Sequence, residues 1–400
     1  MMGRNRSDNW RTAQLGDVIE LFDARRVPLN SRERQERQGQ YPYYGAQGII
    51  DHIDGYLFDG RYILVAEDGE NLNSKKLPLA LFATGKFWVN NHAHILRGKP
   101  GVADDTFLLA CLNNAEIKPF VTGAAQPKLS QANLRQIEIP LPPLPAQQRI
   151  ADILSAYDEL IDNSQRRIRL LESIARALYR EWFVYFRFPG NERFTLVPSP
   201  YGCIPQGWEV KRAPECVDIN PRVAVPRDGE KPFVPMGSLA NDSMLITDIE
   251  SRVSNNGAKF QNGDTLFARI TPCLENGKTG FVQFLPDAQG VACGSTEFIV
   301  LRSRTLAPEF VYLLARSDEF RGNAIKSMSG ASGRQRVQEQ CFENFHIAQP
   351  PHELIDRFAA IVAPSFRGIQ KLHLQIENLR RTRDLLLPRL LSGQLNVEVN

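Results

Sequence analysis

A long amphipathic segment between residues 142 and 183 constrains the fold of this chain more than any other feature. It begins with Pro142, Pro143 and Pro145, which suit the approach to a helix better than its interior. From there to Phe183 the segment contains no glycine and no further proline. Apolar residues recur at alternating spacings of four and three, the seam by which one helix lies along another. The seam residues are Ile150, Leu154, Tyr157, Ile161, Ser164, Ile168, Leu171, Ala175, Leu178 and Trp182.

The same pattern returns near the end of the chain with a constant offset of 208 residues. The second seam consists of Phe358, Val362, Ser365, Ile369, Leu372, Ile376, Leu379, Arg383 and Leu386. The preceding segment repeats too, since Lys128 matches Arg336 and the Pro142-Pro143 pair matches a second pair at 350–351. Two helices could share a period by chance, but one offset through strand, proline pair and helix indicates an internal duplication. Charged residues of the first segment, Glu172 among them, lie off its seam, and the second segment repeats the seam pattern, so each segment predicts a long amphipathic helix.

Composition excludes several classes of protein. With 400 residues, 42% hydrophobic and 23% charged, the chain suits two or three soluble globular domains. It has no apolar run of membrane-span length and no apolar signal sequence at its start, so we expect it to be cytoplasmic. Six scattered cysteines without a CxxC pair indicate neither a disulfide framework nor a zinc site. His92 and His94 lie two apart but lack a third ligand in the sequence, so no metal is assigned.

The repeat divides the chain into five predicted segments. They are a first module over residues 1–141, a helix over 142–185, a linker over 186–207, a second module over 208–349 and a second helix over 350–400. Runs of β-branched and aromatic residues predict strands in both modules. These runs are residues 61–66, 87–90, 94–97, 264–270, 279–285 and 297–303. Helices are predicted over 104–112, with an acidic cap, and over 308–320, so both modules are of mixed α and β structure.

Three stretches, residues 41–51, 122–130 and 327–337, carry side chains that suit contact with DNA. Glutamine can read adenine through two hydrogen bonds, and lysine or arginine can bind guanine or phosphate. The candidate DNA-binding residues are Tyr43, Tyr44, Gln47, Gln126 and Lys128 in the first module, and Arg269, Arg334, Gln335 and Arg336 in the second. The alternative is structural, because tyrosine and glycine are common in ordinary hairpins and an arginine can serve to shape its loop.

Motifs for catalysis are missing from the sequence. No GxGxxG opens a helix after a strand, and no Asn-Pro-Pro-aromatic or Asp-Pro-Pro-aromatic tetrapeptide is present. Neither a GxSxG elbow nor HExxH occurs, and no spacing of carboxylates singles out a nuclease site. We therefore expect the chain to have no catalytic residues and no cofactor of its own.

Taken in order, the motifs resemble one family, the specificity subunit of type I restriction-modification systems. They are LGDVIEL, YGAQGIID, DGEN, QPKLS, IPLPPLPAQQRIADIL, REWFVYFRFP, IPQGWEV and RDLLLPRLLSGQL, and together they span nearly the whole chain. One departure is Ala146 and Leu354, which stand where the family often has a glutamate before the helix.

The resemblance implies a fold and a set of partners. Two target-recognition domains would each read one half of a split, asymmetric DNA site, and two helices packed as an antiparallel coiled coil would hold them apart. Two adenine methyltransferase subunits, with S-adenosylmethionine, and ATP- and Mg-dependent motor-nuclease subunits would dock on the chain. It would thus bind double-stranded DNA, and the cofactors would belong to its partners.

Two other classes of protein remain open. A protein-interaction scaffold would use the coil to organise partners and the modules to bind peptides, and salt-dependent DNA affinity would separate it from a DNA-binding protein. A fused restriction-methylation enzyme would show methylation by the isolated chain.

Overall fold

The chain is described here from a computed structural model that covers residues 10–123, 126–286, 290–331, 333–395 and 397. It divides into two compact units. The first consists of Met1–Ile161 with Asn378–Asn400, and the second of Asp162–Glu377. In the part of the chain that is described, no helix combines the length and the apolar character needed to cross a membrane.

The first unit is built on one mixed sheet. Its strands are β1 Arg11–Gln14, β2 Ile19–Leu21, β3 Gln38–Gly45, β4 Gly48–Ile53, β5 Phe58–Ala66, β6 Ala80–Val89, β7 Ala93–Gly98 and β8 Glu138–Leu141. The sheet has the order β2-β7-β5-β6-β3-β4, with β3 and β6 parallel, while β1 and β8 form a separate antiparallel pair. The continuous apolar end of β5 is buried between β6 and β7, which explains why it does not alternate with polar residues.

Short helices connect these strands. They are α1 Leu15–Val18, α2 Ser31–Glu36, α3 Asn71–Ser74, α4 Asp105–Asn114 and α5 Gln131–Gln136, with 3-10 turns at Asp23–Arg25 and Lys118–Phe120. The predicted acidic cap of α4 is confirmed, because the Asp104 carboxylate accepts from the main-chain N–H groups of Thr106 (2.8 Å) and Phe107 (2.9 Å). The buried face of α4 packs into the core of the unit together with β5 and β7.

The second unit contains two four-stranded sheets. Its strands are β9 Leu196–Ser199, β10 Gly202–Pro205, β11 Glu209–Arg212, β12 Val217–Ile219, β13 Lys231–Val234, β14 Glu250–Arg252, β15 Ala258–Gln261, β16 Thr265–Ala268, β17 Thr279–Phe281, β18 Val291–Gly294, β19 Phe298–Ser303 and β20 His346–Gln349. The sheets have the orders β12-β19-β16-β17 and β14-β13-β18-β15. β11 pairs with β20, and β9 with β10, so the predicted linker contains a hairpin.

Two long helices, α6 Leu144–Tyr179 and α11 His352–Leu391, each belong in part to both units. In the first unit Asp158 of α6 meets Arg383 of α11 at 2.6 Å. In the second, Phe183 in the π-helical turn Arg180–Val184 after α6 contacts Phe358 with ring centroids 4.8 Å apart. Residue numbers fall on one helix as they rise on the other, so the helices pair antiparallel. The predicted fold class, mixed α/β units with an antiparallel pair of long helices, is confirmed.

Most residues of the predicted seams are buried. Those less than a tenth exposed are Ile150, Leu154, Ile161, Ser164, Ile168, Ala175, Trp182, Phe358, Val362, Ile369, Leu372 and Ile376. Tyr157, Leu171, Leu178, Leu379 and Leu386 are half-buried. Tyr179, which the seam did not include, is buried against Phe310.

The remaining helices are α7 Ala213–Cys216, α8 Pro308–Ala315, α9 Asp318–Lys326 and α10 Gln340–Glu343, with 3-10 turns at Asn191–Arg193 and Met236–Ser238. The single helix predicted over 308–320 is wrong. Arg316 ends α8, and the Ser317 hydroxyl caps a new helix by accepting from the Phe320 N–H.

The internal duplication is visible in the connectivity of each unit. The strand sets β2-β7-β5-β6 and β12-β19-β16-β17 correspond, as do the pairs β1–β8 and β11–β20. The N–H of Leu15 donates to the carbonyl of Ile137 (2.8 Å), and that of Ala213 donates to the carbonyl of Phe345 (2.7 Å). Each unit therefore closes the same frame around its own loops.

Candidate nucleic-acid interface

Loop 1, residues 122–130, is closed by a short antiparallel bridge; residues 124 and 125 lie outside the described ranges. Thr122 and Lys128 exchange main-chain hydrogen bonds of 2.8 and 2.7 Å. Gly123 has φ +88°, and a Cβ there would collide with the carbonyl of Gln126. The geometry of the loop therefore requires glycine at this position.

A buried ion-pair network attaches loop 1 to the sheet. The Leu129 N–H donates to the Glu67 carbonyl (2.8 Å), and Nε2 of His94 lies 2.8 Å from the Leu129 carbonyl. Nδ1 of the same ring lies 2.6 Å from the Asp23 carboxylate. Because a carbonyl and a carboxylate both accept, the geometry is satisfied when both ring nitrogens donate, as in the charged imidazolium.

The pKa values of both carboxylates reflect this network. Burial raises the pKa of Asp23, but hydrogen bonds from His94 and from the Ile95 N–H outweigh it and leave the pKa below its usual value. Burial likewise raises the pKa of Glu67, and Arg26 at 2.7 Å outweighs it with the help of neighbouring cations. Both carboxylates are thus held in the charged form.

Asp23, Glu67 and His94 also form a group whose ligand atoms lie within 4.8 Å of one another, as in a metal site. The sequence analysis did not foresee that the two carboxylates join His94. His92 is directed elsewhere, to Asp68 at 2.6 Å. Arg26 supplies the positive charge between the two carboxylates, and both nitrogens of His94 have partners, so we interpret the group as a structural ion-pair network.

Loop 2, residues 327–337 apart from the undescribed residue 332, repeats this frame in the second unit. Ser329 and Arg336 exchange main-chain hydrogen bonds of 3.1 and 2.9 Å. The Val337 N–H donates to the Arg269 carbonyl (2.8 Å), and the Arg269 N–H donates to the Glu297 carbonyl (3.0 Å). The first unit has the same two hydrogen bonds, from the Leu129 N–H to the Glu67 carbonyl and from the Glu67 N–H to the His92 carbonyl.

Three predicted DNA-binding cations are paired with carboxylates of their own unit. Arg336 binds Glu297 through two nitrogens, at 2.6 and 3.0 Å. Arg269 contacts Glu339 at 3.0 Å, and Lys128 contacts Glu67 at 3.2 Å. Hydrogen bonding from Arg336 is the main cause that holds the pKa of Glu297 below its usual value. In this conformation the three cations shape the loops.

Four other predicted residues have free side chains. Gln47 at the β3–β4 turn, Gln126 in loop 1 and Arg334 in loop 2 are exposed, and Gln335 is half-buried. Within the described ranges none of these side chains has a hydrogen bond or ion pair, so their donors and acceptors are available to a ligand.

Tyr43 and Tyr44, which the sequence analysis named as candidate DNA-binding residues, are buried and so do not present their rings to a ligand in this structure. Tyr43 is 0% exposed and Tyr44 9%. Their strand, β3, lies inside the sheet, and the pleat sends neighbouring side chains to opposite faces, both of which are covered. The Tyr43 hydroxyl accepts from the Leu29 N–H (2.9 Å), and the ring of Tyr44 packs edge-on against Phe87.

The sequence analysis missed two exposed apolar residues on the neighbouring strand. Ile49 and Ile50 of β4 are 51% and 53% exposed, beside Gln47 at the tip of the same hairpin. Adjacent residues in a strand point to opposite faces, so the exposure of both isoleucines shows that neither face of β4 is covered at this position. The tip therefore presents both polar and apolar groups.

Comparison with known proteins adds a family to this geometry. Residues 7–173 match the family model described as the type I restriction modification DNA specificity domain. A candidate type I restriction enzyme specificity subunit of Haemophilus influenzae is 35% identical over 174 residues, which cover 43% of this chain and 44% of that protein. The type I restriction enzyme MjaIX specificity subunit of Methanocaldococcus jannaschii is 28% identical over 294 residues, covering 70% of this chain and 66% of the relative. The chain thus spans less than two thirds of the length of these relatives.

A solved structure supports the fold. The crystal structure of a type I restriction-modification system S subunit from M. genitalium aligns with a TM-score of 0.60 at 13% identity and covers 96% of both chains. The resemblance seen in the sequence is confirmed by the family model and the relatives: this chain is similar to type I restriction enzyme specificity subunits, and residues 7–173 match the type I restriction modification DNA specificity domain.

Proposed function

We propose that this chain is the DNA sequence-specificity subunit of a type I restriction-modification complex. Each module, residues 1–141 and 208–349, reads one half of a bipartite, asymmetric site in double-stranded DNA. The observation that carries the proposal is the match of residues 7–173 to a DNA specificity domain, joined to a second copy of the same frame in the other unit. The chain contributes no catalytic residue.

Base reading is assigned to the free side chains of the two loops. Gln126, with Gln47, presents an amide that matches the hydrogen-bonding edge of adenine. Arg334 can bind guanine through two hydrogen bonds, and Gln335 lies next to it. The other three cations act indirectly, because their ion pairs hold the loops in shape; they are Lys128, Arg269 and Arg336.

The long helices are assigned two roles, as a spacer that sets the distance between half-sites and as the docking surface for two methyltransferase subunits. α6 has 36 residues, and a helix rises about 1.5 Å per residue, so its length is about 54 Å. Docking is supported by exposed apolar residues of the two helices in the second unit, which are Leu170, Ile174, Ile361 and Leu374 at 50–60% exposure.

The chemistry belongs to the partners. The methyltransferase subunits bind S-adenosylmethionine and modify adenine, and motor-nuclease subunits use ATP and Mg. The complex acts on DNA in the cytoplasm.

The test is genome-wide adenine methylation in a host that expresses this chain with the methyltransferase encoded beside it. We expect a bipartite methylated motif that disappears when this chain is deleted, and exchange of residues 1–141 for those of a relative should change one half only. Absence of any motif in a host with active methyltransferase would refute the proposal.

Point variants then test the reading residues. Gln126→Ala should relax one half of the motif and Arg334→Ala the other, each with a loss of about 1–3 kcal/mol in binding to the cognate site. Lys76→Ala, which removes an exposed cation outside both loops, is the control. A motif that stays unchanged in Arg334→Ala would exclude Arg334 as a reading residue.

A further inference from the structure

The second unit has a cleft beside loop 2 that the proposed reading residues do not occupy. Its larger part has a volume of about 610 Å³ and its smaller part about 350 Å³. The two parts are adjacent, because Gly257 and Thr296 line both. At Gly257, with φ +95°, a Cβ would collide with the carbonyl of Gly294, so main chain forms the narrow floor between the two parts.

The charged side chains that line this cleft are all positive, although Arg269 is paired with Glu339 and Arg252 with Glu250 outside the lining. Arg222, Lys259 and Arg269 line the larger part and Arg252 the smaller, and no Asp or Glu is among the described residues that line either part. Arg222 is exposed and has no hydrogen bond or ion pair within the described ranges. The Lys259 ammonium donates to the Gly257 carbonyl at 3.4 Å and contacts no described carboxylate.

A fifth cation lies on the strand that pairs with the strand of Arg252. Lys231 of β13 is only 5% exposed, and its ammonium donates to the carbonyls of Gly229 (2.8 Å) and Val253 (3.2 Å). Among the described residues no carboxylate pairs with it, so its charge adds to the positive potential of the cleft. Arg252, by contrast, is partly compensated by Glu250 at 2.6 Å.

The position of Arg222 is fixed by its neighbours. Asn220 exchanges hydrogen bonds with Val300 of β19, its main-chain N–H donating at 2.8 Å and its side-chain oxygen accepting at 2.9 Å. Arg222 follows two residues later, so its attachment point at the rim of the cleft is anchored to a central strand.

We propose that this cleft binds the sugar-phosphate backbone of the DNA whose bases loop 2 reads. The proposal rests on the proposed function and identifies where the second module holds the strand. Arg269 lines the cleft, and its carbonyl accepts from Val337 of loop 2, so cleft and loop share one rigid frame. Phosphate contacts fix the register of a protein on DNA, and base contacts supply the specificity. Arg222 and Lys259 supply the phosphate contacts, and Arg334 supplies the base contact.

The experiment measures DNA affinity of the full chain with its methyltransferase subunits as a function of KCl concentration. The probes are a duplex with the methylated motif and a duplex of the same length with the motif scrambled. Arg222→Gln and Lys259→Gln are each expected to lower the slope of log K against log salt by about 1, since each phosphate contact contributes about 0.9. Both duplexes should lose affinity equally, and the methylated motif should not change. Arg193→Gln, an exposed cation that lines neither part of the cleft, should leave the slope unaltered.

The outcomes separate this inference from the proposed function. If the unmodified complex shows no preference for the motif duplex, the function fails. If the unmodified complex does prefer the motif duplex, and both cleft variants show the same slope of log K against log salt as that complex, the cleft is not a DNA-backbone site. Loss confined to the motif duplex would also overturn the inference, because it would indicate base contact. Inorganic phosphate at constant ionic strength tests a free anion as ligand: if it binds the cleft while the DNA slopes stay unchanged, the assignment to DNA is wrong.

Discussion

Glu172 on α6 offers a sharp test of how the second unit is held to its helix. Its side chain is 5% exposed and accepts from the Ser243 hydroxyl (2.7 Å) and the Met244 N–H (2.8 Å). Arg176, one turn on, lies 3.2 Å from the same carboxylate. Glu172 lies off the predicted seam, yet it is buried and anchors the segment 241–246 to α6.

The expected loss follows from what the Glu172→Ala variant leaves behind. A hydrogen bond to a charged group contributes about 1.5–3 kcal/mol, and a buried donor without a partner costs about 1–3 kcal/mol. Met244 is 1% exposed, so its N–H cannot turn to water, whereas the half-buried Ser243 hydroxyl can. Alanine gains a little in helix propensity, and after this gain we expect Glu172→Ala to lose about 3 kcal/mol of local stability around Met244. Glu172→Gln retains an acceptor and should lose about 1 kcal/mol.

Hydrogen exchange is the suitable assay, because a chain of two units does not unfold in one defined transition. A loss of about 3 kcal/mol corresponds to roughly 100-fold faster exchange at the Met244 amide, since about 1.4 kcal/mol is a factor of ten. The control is Glu159→Ala, an exposed glutamate on the same helix. Equal protection of Met244 in the Glu172→Ala and Glu159→Ala variants would refute the reasoning.

Three further predictions concern single side chains. Gln147 is 0% exposed and bonds three main-chain groups at 2.8–3.0 Å, so Gln147→Leu should destabilise the first unit by about 2–4 kcal/mol, as measured by hydrogen exchange at the Asp104 amide against Gln147→Glu, which keeps an acceptor for that amide. The pKa of Glu297 is lowered by Arg336, so its stabilisation is present above the usual glutamate pKa of about 4.3 and is lost as pH falls through the lower folded value. The protection of loop 2 amides, relative to their intrinsic exchange rate at each pH, should therefore fall on acidification, and Glu297→Gln should abolish that dependence on pH. Tyr43→Phe should cost about 1 kcal/mol through its bond with Leu29 and leave the methylated motif unchanged; an altered motif would show that Tyr43 reaches the DNA after all.

The sequence predicts those features that depend on periodicity. The spacing of the seams predicted the two long helices, and apolar runs such as residues 61–66 predicted the buried strands. Both predictions succeed because burial of one helix face or one strand requires apolar residues at regular positions in the sequence. The acidic cap at Asp104 is equally local.

What the sequence did not reveal depends on contacts distant along the chain. Tyr43 and Tyr44 resemble an exposed aromatic surface until β4 and β6 flank their strand. Lys128 and Arg336 look like free cations until Glu67 and Glu297 are brought beside them. The break after Arg316 was missed because a single capping serine within a helical run is a weak local signal.

The shared frame of the two loops has a consequence for how specificity can change in evolution. Equivalent positions carry opposite chemistry, since Arg269 stands where the first unit has Glu67, and Glu297 stands where it has His92. A loop grafted alone into the other unit would keep its backbone pairing but would find the carboxylate of its new frame at a different strand position from the one that pairs with its cation. Each loop and the strand ends beneath it therefore form one structural unit, and exchange of a whole module would preserve these pairings where exchange of a loop alone would not.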